Sequence, residues 1–315
     1  MPSKLAGFRP NGGIIKFTHT SDGFKIRYGI WNTGTKGTIF FLNGRTEYIE
    51  KYSETISKFL CRNYSVVSLD WRSQGLSQRY FGRRDIGHIN DFKEYQVDLK
   101  AIHALKEVKQ LPKPFILVSH SMGGLIGLRT LISKNHGFCG AIFSAPVWGV
   151  KIFENAVLNL IKGLAPVIKN PGIAKIKLYP GGKKPYVLQT SVKENSLTSD
   201  ETQFKRLQKI MKVEPKLLVG PPTVGWGLAA AQELEKLSKV KSPDIPILIF
   251  MSAEETVVDN EAIKRFAEKC VNSKLVEINK ARHEVFLETP KVQQSVWKHV
   301  DDFLLKLPVT TTRQE

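Results

Sequence analysis

Along the chain, short apolar runs of β-forming residues alternate with stretches whose apolar positions recur every three or four residues. Residues 14–18 and 24–31 are β-rich around Ser21-Asp22-Gly23 and predict an opening hairpin. Thr38 to Leu42 reads as a buried strand. Residues 47–60 have helical spacing, with Tyr48, Tyr52, Ile56, Phe59 and Leu60 on one side. Ser65 to Leu69 predicts a strand, and 91–108 a helix turning Phe92, Tyr95, Leu99, Ile102 and Leu105 inward. A strand from Phe115, a helix at 123–133 and a strand at 141–145 follow. Such alternation implies crossover units and a mostly parallel sheet. It stops near 147 and resumes near 245, with strands at Ile245 to Met251 and Lys274 to Ile278. The stretch between is helical and irregular, with Gly and Pro clusters at 171–185 and 220–227. The expected organisation is an α/β core of residues 1–147 and 245–309, a cap insertion at 148–244, and a frayed tail at 310–315.

A chain of 315 residues can bury one large sheet core and still carry an insertion. Its most membrane-like stretch, 115–132, contains Ser119, His120, Ser121 and Arg129, so it reads as buried strand plus buried helix. Met1 to Gly13 lacks an apolar signal region, so no secretion signal is expected. Cys61, Cys139 and Cys270 are odd in number and widely spaced. They suggest neither a disulfide framework nor a metal site, and suit a reducing cytoplasm. No metal or cofactor is expected. The net charge of +18 would attract polyanions. The lysines are spread along the chain and no nucleic-acid motif is present, so nucleic acid is not an expected partner. Peripheral contact with an anionic membrane face and a merely solvated basic surface both remain open.

Residues 115–124 read Phe-Ile-Leu-Val-Ser-His-Ser-Met-Gly-Gly. An apolar run ends at a serine among small residues and a helical pattern begins at once. This is the form of a strand–serine–helix elbow, which exposes the hydroxyl of Ser121 above a sheet. The usual first glycine of G-x-S-x-G is Ser119 here; the alternative is an ordinary strand with a Gly-rich turn. A nucleophilic serine needs a general base, and the base an orienting acid. Glu255 and His283 lie in the loops after the two late strands, in the order this architecture uses. Glu254 and Asp259 compete for the acid role, although Asp259 also suits the N-cap of a helix from Glu261 to Cys270. His120 is expected to point away into the core. His19, His88, His103, His136 and His299 read as structural or solvated.

The elbow is accompanied by Asn43-Gly44-Arg45-Thr46-Glu47-Tyr48, by Asp70-Trp71-Arg72-Ser73-Gln74-Gly75-Leu76-Ser77, and by Gly87-His88-Ile89-Asn90-Asp91-Phe92 with Tyr95, Asp98 and Leu99. Gly220-Pro221-Pro222-Thr223 with Trp226, Ala253-Glu254-Glu255 with Val257-Val258-Asp259-Asn260, and His283-Glu284 with Phe286 and Glu288 complete the set. Over nearly its whole length the chain resembles the α/β-hydrolases of the lysophospholipase and monoacylglycerol-lipase group, most of all the bacterial membrane-associated lysophospholipases. It departs from the usual pattern at Asn43 (for histidine), Ser73 and Ser119 (for glycine) and Glu255 (for aspartate). The bacterial enzymes share the glutamate.

The resemblance implies a serine hydrolase of single-chain lipid esters. Ser121 would attack, His283 would move the proton, Glu255 would orient the imidazole, and the backbone N–H groups of Met122 and Arg45 would form an oxyanion hole. Glu47 would brace the oxyanion loop, and Asp70 and Arg72 would act as a loop-bracing pair. In the insertion, Phe153, Val157, Leu160, Ile161, Leu164 and Ile168 form an apolar stripe, either packed on the core or lining an acyl channel. Lysines at 162, 169, 175, 177, 183 and 184 make the same region basic. Rival readings are a monoacylglycerol lipase or general carboxylesterase, a serine aminopeptidase, and an inactive hydrolase fold that binds lipid or a partner. Oligomeric state is not legible.

Overall fold

A computed structural model describes residues 4–149, 163, 165–168, 170–178 and 185–307. Eight strands form one sheet in the order β1-β2-β4-β3-β5-β6-β7-β8. These are β1 (Ile14–His19), β2 (Lys25–Trp31), β3 (Thr38–Leu42), β4 (Ser65–Asp70), β5 (Phe115–His120), β6 (Phe138–Ser144), β7 (Ile247–Ser252) and β8 (Ser273–Ile278). β2 is antiparallel to both β1 and β4, and all other pairs are parallel. Every residue of β3, β4, β5 and β7 is buried. That follows from a parallel sheet covered on both faces.

Strand alternation sorts the core into two layers. Phe40 and Leu42 of β3, with Leu117 of β5, pack beneath the helices Lys93–Ala104, Met122–Leu131 and Asn260–Lys269. Ile39 and Phe41, with Ile116 and Val118, pack against the helices Ser53–Cys61 and Pro290–Leu304. The two sheet edges are less covered; β1 leaves Ile14 and Phe17 exposed.

Some boundaries differ from the sequence pattern. The 47–60 segment opens as a 3-10 turn (Ile49–Tyr52) before the α-helix begins at Ser53. The 91–108 pattern breaks at Leu105, whose extended backbone separates Lys93–Ala104 from one further turn, Lys106–Lys109. β6 starts at Phe138 rather than 141. The insertion holds two substantial described helices. Glu201–Val213 is capped by the Asp200 carboxylate and Val224–Ser238 by the Thr223 hydroxyl, each accepting from the N–H three residues on. The latter joins the sheet core through Ala229, Ala230 and Leu237, and its Glu233 pairs with Arg129. Phe153, Val157, Leu160, Ile161 and Leu164 lie outside the described residues, as do Lys162, Lys169, Lys183, Lys184 and the 310–315 tail. Of the stripe, Ile168 is described, and it is buried. Among the described residues no helix is long and apolar enough to cross a membrane.

Candidate active site

β5 ends at His120 and a helix begins at Met122, leaving Ser121 alone at the turn with φ 52° and ψ −120°. A non-glycine residue held there is strained, and the surroundings must over-determine it. They do so through three backbone hydrogen bonds. Ser121 N–H donates to Ser144 O at 3.0 Å, and its carbonyl accepts from Gly124 N at 2.8 Å and Val147 N at 3.0 Å. The two glycines that follow are required by close approach. A Cβ on Gly123 would stand 2.1 Å from Leu42 O, and one on Gly124 2.5 Å from Cβ of Pro146. Ser119 fits as a fully buried strand residue, and its hydroxyl makes no hydrogen bond among the described residues.

The late loops bring two residues to that hydroxyl. His283 Nε2 lies 3.0 Å from Ser121 Oγ, and His283 Nδ1 lies 2.8 Å from Glu255 Oε2. With a carboxylate at Nδ1, the ring proton belongs there, and Nε2 is left to accept from the serine. Glu255 Oε1 also accepts from the N–H groups of Val257 (2.6 Å) and Val258 (3.3 Å). Burial pushes the Glu255 carboxyl up, but His283 and these two N–H donors outweigh it and hold it below the usual range. Ser121 keeps 7% of its surface exposed. The competing acids are placed elsewhere. Glu254 is exposed, and Asp259 caps Asn260–Lys269, accepting from Glu261 N at 3.0 Å and facing Arg265.

The other flank is the loop after β3. Asn43 stands inside it, donating from Nδ2 to Leu69 O (2.8 Å) while its backbone carbonyl accepts from Trp71 Nε1 (2.9 Å). Glu47 turns back to accept from Gly44 N–H. The Gln74 side chain meets both flanks, accepting from Thr46 N–H and lying 3.8 Å from Met122 Sδ. Arg45 sends its guanidinium away to Gly220 O (2.8 Å) and over the Trp226 ring (5.1 Å). Segment 220–226 is thereby tied to the loop; Thr223 Oγ1 also meets His88 Nδ1 at 2.9 Å. Met122 opens the helix, so its N–H has no intrahelical acceptor.

Two expectations are corrected. Asp70 and Arg72 do not pair. Asp70 binds Arg27 (2.9 Å) and accepts from Ile49 and Leu76 N–H, while Arg72 binds Asp98 (2.7 Å) and Asp22 (2.8 Å). β4 ends at Asp70 and the chain turns through positive φ at Ser73 and Gly75, so the two side chains enter different networks. His120 is buried but does not point away from His283. Strand alternation puts it on the Val118 side, where its ring stands edge-on to that of His283, centroids 4.7 Å apart.

His120 belongs to a buried cluster that the sequence did not reveal, formed with Glu47, Lys51, Tyr52 and Glu284. Lys51 Nζ donates to both carboxylates, at 2.8 Å to Glu47. Tyr52 OH lies 2.8 Å from Glu47 Oε2 and 2.9 Å from Glu284 Oε2. His120 Nε2 is 3.2 Å from Glu284 Oε1 and 3.5 Å from Glu47 Oε1. Lys51 is a cation among these oxygens, and His120 faces the same two carboxylates. The Glu47–Lys51 spacing of four was the one available signal.

Residues 33–290 match the family described as serine aminopeptidase, S33. The chain is 30% identical over 268 residues to a probable lysophospholipase L2 of Haemophilus influenzae, covering 84% of this chain and 83% of that protein. It is 29% identical over 280 residues to the lysophospholipase L2 of Escherichia coli K12, covering 82% and 78%. A soluble variant of monoglyceride lipase from Saccharomyces cerevisiae superposes with a TM-score of 0.72 at 21% identity, covering 95% of this chain and 98% of that one. The chain has the α/β-hydrolase fold and belongs to the serine aminopeptidase, S33 family.

Proposed function

We propose that the protein is a serine carboxylic-ester hydrolase acting on single-chain lipids, with lysophospholipids as its substrate class. The observation that carries this is the continuous chain Ser121 Oγ, His283 Nε2, His283 Nδ1, Glu255 Oε2 at a strained elbow. Likeness to two lysophospholipases L2 across most of their length supports the substrate class.

In this reading His283 takes the Ser121 proton as Oγ attacks the ester carbonyl. The C–O bond to the glycerol then breaks as the same imidazolium protonates the leaving alcohol. Water, deprotonated by His283, hydrolyses the acyl-enzyme and regenerates the serine. Glu255 stabilises the imidazolium at each stage. The backbone N–H groups of Met122 and Arg45 hold the oxyanion, each contributing about 3–4 kcal/mol of transition-state stabilisation.

The insertion would carry acyl selection, with the stripe from Phe153 to Leu164 as its channel wall. Its described part exposes Val167, Ile176 and Leu178 near Lys175, while Lys177 is paired with Asp85. An apolar and basic surface of this kind suits an anionic lipid face.

The test is turnover of matched lysophospholipids, monoacylglycerols, short p-nitrophenyl esters and aminoacyl amides by wild type and Ser121→Ala. Lysophospholipid turnover that vanishes in Ser121→Ala is expected. Amide cleavage without ester cleavage would replace this reading with a peptidase.

A further inference from the structure

The buried cluster beside His283 contains nothing that the ester-hydrolysis scheme uses directly, yet it adjoins the nucleophile, the base and the oxyanion loop. His120 precedes the nucleophile. Glu284 follows the base. Glu47 accepts the N–H of Gly44 in the oxyanion loop. Lys51 and Tyr52, on the 3-10 turn Ile49–Tyr52, join Glu47 to the sequence-distant Glu284.

We propose that Glu47 and Glu284 are positioning residues, cross-linked by Lys51 and Tyr52, that lock the oxyanion loop and the His283 loop into one frame, with Lys51 setting the charge that His283 feels through His120. The proposal rests on the reading of His283 as the general base.

Three observations carry it. The first is connectivity. Gly44 and His283 come from loops after different strands, and each is joined to the cluster by a direct hydrogen bond or a single peptide link. A loop fixed this way cannot drift by a fraction of an ångström without breaking buried polar contacts. Such contacts are expensive to lose in a site of low dielectric.

The second is charge balance. Two buried carboxylates face one ammonium, and burial of an unmatched charge is costly. His120 is the remaining group that can supply positive charge. Burial pushes its imidazole down, but Glu284 and Glu47 outweigh that and raise it. Burial likewise pushes Glu284 up, and His120 and Lys51 hold it well below the usual carboxylate range. Glu47 is raised, chiefly by burial. Glu284 is therefore the ionised anchor of the cluster.

The third is proximity to the base. The groups facing His283 are Ser121 and Glu255 on its two nitrogens and His120 edge-on to its ring, with Glu284, Glu47, Lys51 and Tyr52 behind His120. The neighbouring Arg282 turns outward to the carbonyls of Asn195 and Thr198. A change of charge in the cluster reaches His283 without passing through solvent.

The experiment compares wild type with Glu47→Gln, Glu284→Gln, Lys51→Met and Lys51→Met/Glu284→Gln on a short soluble ester across pH. A fluorophosphonate-labelling control on wild type shows independently whether Ser121 is the activated serine. Glu47→Gln and Glu284→Gln keep side-chain shape, and each is expected to lower kcat about 10- to 100-fold with KM changed by less than about threefold. Lys51→Met removes a cation near two histidines. His283 then holds its proton more tightly, and the acid limb of kcat/KM moves up by roughly one pH unit. The double variant, neutral in place of neutral, returns the limb to its wild-type position while kcat stays reduced. A packing role alone would lower the melting temperature and leave the limb where it was. Should Lys51→Met fail to fold, the two glutamine variants decide. Wild-type kcat in both, or an unmoved limb in a folded Lys51→Met, overturns the proposal. If wild type itself takes no fluorophosphonate, the hydrolase reading has failed instead.

Discussion

Glu255 Oε2 sits 2.8 Å from Nδ1 of His283, while Asp259, four residues further on, faces a helix N-terminus and Arg265. The two acids therefore separate on mutation. Glu255→Gln should lower kcat by several orders of magnitude, as loss of the orienting charge does in such triads, with little change in KM. Asp259→Asn should leave kcat near wild type and lower stability by at most about 1 kcal/mol. Steady-state kinetics and chemical denaturation of both variants check the pair.

The Glu255 carboxyl is depressed in the folded state, so it contributes stability above its ordinary range, and that contribution is lost as pH falls through the depressed value. Glu255→Gln should consequently lower stability at neutral pH more than under acid conditions where the wild-type carboxyl is protonated. Denaturation curves across pH for the two proteins should converge toward the acid end.

His103 supplies a second pH signal, away from the chemistry. Its ring stacks on Phe40 at 4.5 Å and stands edge-on to Phe138, and burial lowers it to about 4 from the ordinary 6.5. The unfolded chain takes up this proton first as pH falls. The stability that neutral His103 provides is therefore complete above 6.5 and is lost on descent toward 4. The loss should be on the order of 3 kcal/mol. His103→Phe should flatten that part of the curve.

Close packing at the elbow gives a third expectation. Gly123→Ala would place a methyl 2.1 Å from Leu42 O and 2.7 Å from Asn43 O, so the Asn43–Arg45 loop must move. A displacement near 1 Å at reacting groups costs roughly 100-fold in rate. Ser119→Ala, by contrast, removes a buried hydroxyl with no hydrogen-bond partner among the described residues, and should be neutral or slightly stabilising with kcat unchanged.

The parallel sheet was legible because β3, β4, β5 and β7 are buried on both faces, and such strands read as short, largely apolar runs. The elbow was legible because Gly123 and Gly124 are demanded by backbone clearance, which leaves a mark in the sequence. Spacing alone could not rank Glu255 above Glu254 and Asp259, since all three follow one strand; side-chain direction separates them. The cluster of Glu47, Lys51, His120 and Glu284 was illegible. Its members come from the segments after β3, β5 and β8, which meet only in the folded chain, and beyond the four-residue spacing of Glu47 and Lys51 no local pattern records that meeting. The 3-10 turn at Ile49–Tyr52 was missed because a turn of either helix type presents similar apolar spacing.

The central claim is tested most directly by treating the folded protein with a fluorophosphonate and locating the adduct by peptide mass spectrometry, alongside lysophospholipid hydrolysis. Labelling at Ser121 alone is expected, lost together with hydrolysis in Ser121→Ala while the fold is retained. Labelling that survives Ser121→Ala, or a wild-type protein that hydrolyses the lipid but takes no label at Ser121, would contradict it.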